Sequence, residues 1–289
     1  MNTTLTALAG FRVGHWTNDA ARTGVTVILC PDEGCVASAD FVGASPGTRE
    51  AALLAAEKRV KRIHALVLSG GSAMGLETAT GVAHYLFERG VGHPTRLARV
   101  PIVPAAVIYD YLCGEVAWPD ARAGYSAAAA ASAAAVATGR VGAGAGASAG
   151  KYLRPVASGL GSSLASAADV RVGALAVVNP LGDVYSPRGE LLAGHGDRAA
   201  WLRASFAFAE NTTLLAIGLE AKLSKAEARM LAAAAQAALA RVIRPSHTPW
   251  DGDVAFVLSS ARTAAAPLGV LSLLVQEAVE KAVTAAVSR

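Results

Sequence analysis

Apolar runs headed by polar or glycine clusters set the pattern of this chain, and their periods switch between strand-like and helix-like. Thr23–Cys30 is a β-branched run closed by Pro31-Asp32-Glu33-Gly34, and Cys35–Val42 alternates loosely behind it, so the two read as a hairpin. Pro46-Gly47-Thr48 then opens a helix over Arg49–Arg62, with apolar residues at helical spacing. Ile63–Leu68 is a short buried strand, and Ser69-Gly70-Gly71-Ser72 leads from it into a helix over Ala73–Arg89. Val100–Ile108 is apolar but carries Pro101 and Pro104, which predicts an edge or interrupted strand.

Ala121–Thr138 reads as an alanine-rich helix. Gly139–Gly150 is glycine-rich and reads as the most flexible segment, either a lid or a close-packed backbone passage. Val170–Val178 and Asp183–Ser186 form a second hairpin around Asn179-Pro180-Leu181-Gly182, and Glu190–Gly196 is a loop. Asp197–Glu210, polar and then apolar, feeds the strand Thr212–Leu219. Ser224 and Glu227 have the spacing of a capping box and start a long helix that runs to Ile243 and is ended by Pro245. Asp253–Leu258 is a strand, and Pro267–Val287 a closing amphipathic helix. The mixture predicts an α+β fold with helices packed on stacked sheets.

Composition narrows the function. The chain has 289 residues, 53% hydrophobic and 17% charged, enough for a substantial core. Low charge with abundant alanine and glycine fits extensive buried surface, subunit contacts included, or a compositional bias. The net charge of +4 is scattered; the one tight basic group, Lys58–Arg62, sits where the Arg49–Arg62 helix would end. With no basic face interleaved with aromatics, nucleic-acid binding is not expected. Three cysteines, Cys30, Cys35 and Cys113, form no disulfide framework, and Met1-Asn2-Thr3-Thr4 does not begin a signal peptide; a cytoplasmic location is expected. Ala127–Ala137 is too short to span a bilayer, so no membrane role is expected.

Candidate chemistry lies at two strand starts. Glu210-Asn211-Thr212-Thr213 heads one apolar run, and Trp250-Asp251-Gly252-Asp253 heads the other. A threonine hydroxyl at such a place can attack the carbonyl before it, and the cut that follows leaves a free α-amine beside the hydroxyl as its base. The Asn211–Thr212 bond therefore reads as a self-cleavage site, although Asn-Thr-Thr is also an ordinary strand start. Asp251 and Asp253, two residues apart, point to one side of an extended chain, where like charges raise one pKa. They could support Thr212, or form a solvated Asp-Gly-Asp turn. Too few oxygen ligands surround them for calcium, and Cys30 and Cys35 lack a histidine partner for zinc; neither metal nor cofactor is expected. The Gly70-Gly71-Ser72 turn offers backbone N–H groups to an oxyanion or substrate, or simply needs positive φ. Trp250 walls the substrate pocket or packs in the core. No spacing supports a Ser-His-Asp triad, and His15 and His247 read as structural.

Ordered motifs extend along nearly the whole length. They are Val13-Gly14-His15, Gly43–Glu50, Leu68–Leu76, Val107-Ile108-Tyr109-Asp110, Ala176–Asn179, Asn211-Thr212-Thr213, Arg244–Thr248 and Asp251-Gly252-Asp253. In these the chain resembles the peptidases that include the DmpA-type L-aminopeptidase/D-esterases, the β-aminopeptidases and the nylon-oligomer hydrolases. The resemblance implies an αββα-like fold and a precursor, 1–289 as a single catalytic domain, cut into 1–211 and 212–289. It further implies a tetramer of the cut pair. It implies Thr212 as nucleophile, Asn179 in the oxyanion hole, Lys151 as a cation near the nucleophile, Tyr109 as the site tyrosine, and Asp251 and Asp253 as the supporting pair. In the DmpA branch serine is the nucleophile and serine and glutamate support it; threonine with two aspartates matches the nylon-oligomer branch. The expected activity is hydrolysis of small peptides, amino-acid amides or ω-amino-acid amides. The alternatives are an acyltransferase of the ornithine-acetyltransferase type and an uncut binding relative.

Overall fold

The computed structural model describes residues 2–205 and 210–288. A five-stranded sheet has the order Arg12–Asn18, Thr23–Leu29, Ala65–Ser69, Ala105–Val107, Thr48–Arg49. A six-stranded sheet has the order Leu160–Ala167, Val170–Asn179, Thr212–Ala221, Val254–Thr263, Cys35–Phe41, Arg62–Ile63. Between the sheets, Ile28, Leu66, Leu68 and Ile108 meet Leu175, Val177, Leu214, Ala216 and Phe256. Helices α1 (Thr78–Phe87) and α2 (Ala121–Ala129) cover the outer face of the first sheet through Val82, Ala123 and Ala127 against Val25, Val27 and Val67. Helices α4 (Lys225–Val242) and α5 (Leu268–Ala285) cover the second through Leu231, Ala235, Leu239, Val275 and Val279 against Ala176, Leu215, Ile217 and Val257. A short helix α3 (Arg198–Arg203) lies outside these layers in chain order, before the Thr212–Ala221 strand.

The layering is the expected one, helices outside two stacked sheets, and it explains the unbroken apolar runs. In Thr212–Ala221 successive side chains face opposite ways, Leu214 and Ala216 to the other sheet and Leu215, Ile217 and Leu219 to the helices, so both faces must be apolar. The same double burial defeats the two expected hairpins. Thr23–Leu29 pairs with Arg12–Asn18 and Ala65–Ser69, whereas Cys35–Phe41 crosses into the other sheet beside Val254–Thr263. Val170–Asn179 pairs with Leu160–Ala167 and Thr212–Ala221, while Asp183–Tyr185 joins a separate three-stranded sheet with Leu191–Ala193 and Ile243–Arg244.

Other elements differ in extent. The expected helix 49–62 is only a 3-10 turn, Ala51–Leu54, because Thr48–Arg49 pairs with Ala105–Ala106 and Arg62–Ile63 with Cys35–Val36. Lys225 anchors this loop, its ammonium donating to the carbonyls of Leu53 at 2.8 Å and Val60 at 3.2 Å. The alanine-rich helix stops at Ala129, and Ser132 exchanges backbone hydrogen bonds with Val13 instead. Ala105–Val107 is bonded on both sides, so it is interrupted but not an edge. The expected Glu190–Gly196 loop contains the Leu191–Ala193 strand. Gly142–Gly150 is buried throughout, a close-packed passage and not a lid. The capping box is present as expected, Ser224 accepting from the Glu227 N–H and Glu227 from the Ser224 N–H. The apolar half of the Asp197–Glu210 stretch, at 206–209, lies outside the described residues.

Helices α1 and α2 touch backbone to backbone. A Cβ on Gly81 would stand 1.7 Å from the Ala121 carbonyl oxygen, and one on Gly124 2.0 Å from that of Thr78. Gly124→Ala is therefore expected to lower stability by about 1–3 kcal/mol, seen as a lower urea midpoint; an unchanged midpoint would show that the two helices part at no cost.

Candidate active site

Strand direction assembles the site. Val170–Asn179 runs antiparallel to Thr212–Ala221 with Asn179 opposite Thr212, and Val254–Thr263 runs parallel to it with Val254 opposite Leu214. One C-terminal end and two N-terminal ends therefore meet at the same rim of the sheet, and a parallel bridge joins Asn211 to Asp251. Asn179, Thr212, Asp251 and Asp253 are all buried there, with exposures of 0%, 6%, 1% and 2%.

The Asn211 carbonyl is the centre of this rim. Its oxygen accepts from the Thr212 hydroxyl at 2.5 Å and from the Gly252 N–H at 2.8 Å. The Asn211 side chain donates to the Trp250 carbonyl at 3.3 Å, which ties the residue to the same acidic turn. Gly43 packs so closely that a Cβ there would lie 2.1 Å from the Asp253 nitrogen.

The two aspartates are not equivalent. Asp253 accepts from the Thr213 N–H at 2.6 Å through Oδ1, and from the His247 N–H at 3.2 Å through Oδ2. Asp251 accepts from the Leu181 N–H at 3.2 Å and the Thr248 N–H at 2.9 Å, and its Oδ2 lies 2.5 Å from the Thr248 hydroxyl. Burial, and then the charge of Asp253, raise the Asp251 pKa above the usual carboxylate range. The pair thus has two tasks, Asp253 holding the strand that follows Thr212 and Asp251 holding Leu181 and Thr248.

Lys151 reaches the rim from the buried glycine-rich passage. Its ammonium donates to the Asn179 carbonyl at 2.9 Å, the Asn179 side-chain oxygen at 2.8 Å and the Glu210 carbonyl at 3.4 Å. Three acceptors require three hydrogens, so this geometry suits the charged form. Although part of the residue stays exposed, desolvation of the ammonium lowers its pKa to about 7, against the opposing pull of Asp251. The Asn179 Oδ1 also accepts from the Ser148 N–H at 3.1 Å, and its Nδ2 donates one hydrogen to the Tyr109 carbonyl at 3.1 Å. That arrangement fixes the amide orientation and leaves the second Nδ2 hydrogen for another acceptor. The Tyr109 ring packs edge-on against Tyr111 at 4.9 Å, and burial, followed by the Glu210 carboxylate, raises its hydroxyl pKa.

The Gly70-Gly71-Ser72 turn is arranged differently from the expected anion cradle. Its three N–H groups already donate, to the Gly24 carbonyl, the Asp110 carboxylate and the Ile108 carbonyl. Gly71 and Ser72 do take positive φ, 79° and 51°. Through Asp110 the turn braces the segment that carries Tyr109. His15 stands apart on the first sheet, bonded to Thr26 at 2.9 Å, with burial lowering its pKa to about 4. Sequence reasoning missed the Gly252 N–H and the Ser148 N–H, because a backbone donor has no residue-type signature. It also missed Thr248 and the bond of His247 to Asp253, although both residues fall within the Arg244–Thr248 motif.

Comparison with known proteins places this geometry in context. The model of peptidase family S58 matches residues 3–289. An uncharacterized aminopeptidase of Mycobacterium bovis is 40% identical over 91% of this chain and 83% of its own length. A 6-aminohexanoate-oligomer endohydrolase of Kocuria sp. is 32% identical over 87% of this chain and 73% of its own. The solved L-aminopeptidase D-Ala-esterase/amidase of Ochrobactrum anthropi, described as a variant of the Ntn hydrolase fold, superposes with a TM-score of 0.76 and 16% identity, covering 98% of this chain and 85% of its own.

Proposed function

The chain belongs to peptidase family S58 and is an aminopeptidase-type hydrolase of amide bonds, and from there we propose that it cuts its own Asn211–Thr212 bond and then uses Thr212 on external substrates. In the first step the Thr212 oxygen bonds to the Asn211 carbonyl carbon, its proton passes to the Thr212 nitrogen and the C–N bond breaks, moving the acyl group from nitrogen to oxygen. Water then hydrolyses that ester, leaving the Asn211 carboxylate and a free Thr212 amine. In turnover the amine takes the hydroxyl proton, Thr212 attacks the substrate carbonyl, the amine product leaves, and water releases the acyl group.

The observation that carries the reading is the Asn211 carbonyl oxygen held between the Thr212 hydroxyl at 2.5 Å and the Gly252 N–H at 2.8 Å. A fixed donor on a carbonyl oxygen is what a developing oxyanion needs. For external substrates the free hydrogen of Asn179 Nδ2 serves that role, and Lys151 adds positive charge beside it. Threonine with two aspartates, and likeness to the Kocuria endohydrolase, favour ω-amino-acid amides among the substrates, alongside small peptides and amino-acid amides. The family resemblance supports a homo-oligomer, a tetramer of the cut pair, and three cysteines without a disulfide framework support a cytoplasmic location; among the described residues no helix is long and apolar enough to cross a membrane.

N-terminal sequencing of the purified protein tests this directly. Two chains are expected, 1–211 and 212–289, the smaller beginning at Thr212, followed by a screen of amide substrates. An intact chain that hydrolyses amides at full rate would overturn the self-processing mechanism.

A further inference from the structure

His247 makes two contacts that constrain its protonation. Nε2 lies 3.2 Å from the Gln236 carbonyl on α4, an atom that can only accept, so Nε2 carries a hydrogen. Nδ1 lies 2.8 Å from Asp253 Oδ2, and that carboxylate already accepts N–H groups from Thr213 on one oxygen and His247 itself on the other. A bare Nδ1 would face an acceptor without a hydrogen between them. His247 also holds φ at 54°, and both its backbone and its ring bind the same carboxylate, which fixes the left-handed conformation.

We infer that His247 is an imidazolium and a positioning residue, whose charge holds the Asp253 carboxylate against the Thr213 N–H and so fixes the backbone that presents Thr212. The titratable groups facing it are Asp253 and Asp251, both on the turn that follows it, while α4 offers only the neutral Gln236 carbonyl. Burial disfavours the charge, yet the hydrogen bond and charge of Asp253 outweigh it and raise the His247 pKa above the ordinary imidazole value. The protonation state stands by itself; only the consequence for Thr212 rests on the proposed mechanism.

The experiment is a ring-nitrogen NMR titration of histidine-labelled protein, with the His247 signals assigned by their loss in His247→Gln. Both nitrogens are expected to remain protonated at neutral pH, and Asp253→Asn is expected to return the pKa toward the ordinary value. A single Nε2–H signal at neutral pH overturns the inference. In turnover, His247→Gln is expected to lower kcat on the order of tenfold to a hundredfold with KM little changed; unchanged kcat would show that the pair positions nothing. If neither variant folds, the unassigned histidine signals of the unaltered protein still decide, because the inference requires one of its six histidines to stay doubly protonated above the ordinary range. The titration reads the same whether or not Thr212 is the nucleophile, which sequencing tests separately.

Discussion

Thr212→Ala is expected to leave the protein as one chain of 29.2 kDa and to remove its hydrolytic activity. Both losses trace to one atom. Among the described residues the hydroxyl is the only side-chain group donating to the Asn211 carbonyl, and the Gly252 N–H that remains polarises the carbonyl without supplying a nucleophile. Loss of a nucleophile costs on the order of a thousandfold or more in turnover. Little structural disturbance should accompany it, since the strand keeps its register with Asn179 and Val254 on either side. Denaturing gels and an amide-hydrolysis assay check the two losses together. Cleavage of the alanine variant at the same bond would assign the nucleophile wrongly; cleavage lost with hydrolysis retained would separate the two roles.

Lys151→Met is expected to lower turnover on the order of a hundredfold, the scale seen when a preorganised electrostatic group is removed. Its effect on stability has a sign of its own. With the folded-state pKa depressed to about 7, the folded protein binds fewer protons than the unfolded chain between there and the ordinary lysine range. Stability from this group therefore rises with pH across that window and is lowest below it. The difference in urea midpoint between the unaltered protein and Lys151→Met should move in favour of lysine as pH rises from neutral toward the alkaline side. A difference that does not change with pH would mean that the ammonium is not desolvated at the rim.

What could be read in advance follows the range of the interactions. The Ser224–Glu227 cap, the Thr212 strand and the two closing helices depend on neighbours close in sequence, and they appear where their patterns put them. The two hairpins do not, because strands buried on both faces say little about which sheet will take them; Pro31–Gly34 is the tight turn it looks like, its Gly34 N–H donating to the Pro31 carbonyl at 2.7 Å, yet the strands it joins lie in different sheets. Gly139–Gly150 shows the same limit, since glycine allows both mobility and close packing, and only the surrounding layers select between them. At the site, Thr212, Asn179, Lys151, Asp251 and Asp253 are side chains with chemistry and were nameable beforehand, whereas the Gly252 N–H exists as a donor only once strand direction aims it at Asn211.

The place of Thr212–Ala221 in the middle of its sheet bears on the life of the protein after the proposed cut. Residues 212–289 supply two adjoining strands of the six-stranded sheet and both helices that cover it, so the smaller piece would be the structural heart of the larger. Such a piece is paired on both sides, to Val170–Asn179 and to Cys35–Phe41, for as long as the fold stands. The intact chain brings its ends together at no cost in concentration; two severed pieces would have to meet by diffusion, each exposing apolar strands while it waits. Folding would then be an event that each molecule completes once, with the uncut chain as the only form able to find its own shape.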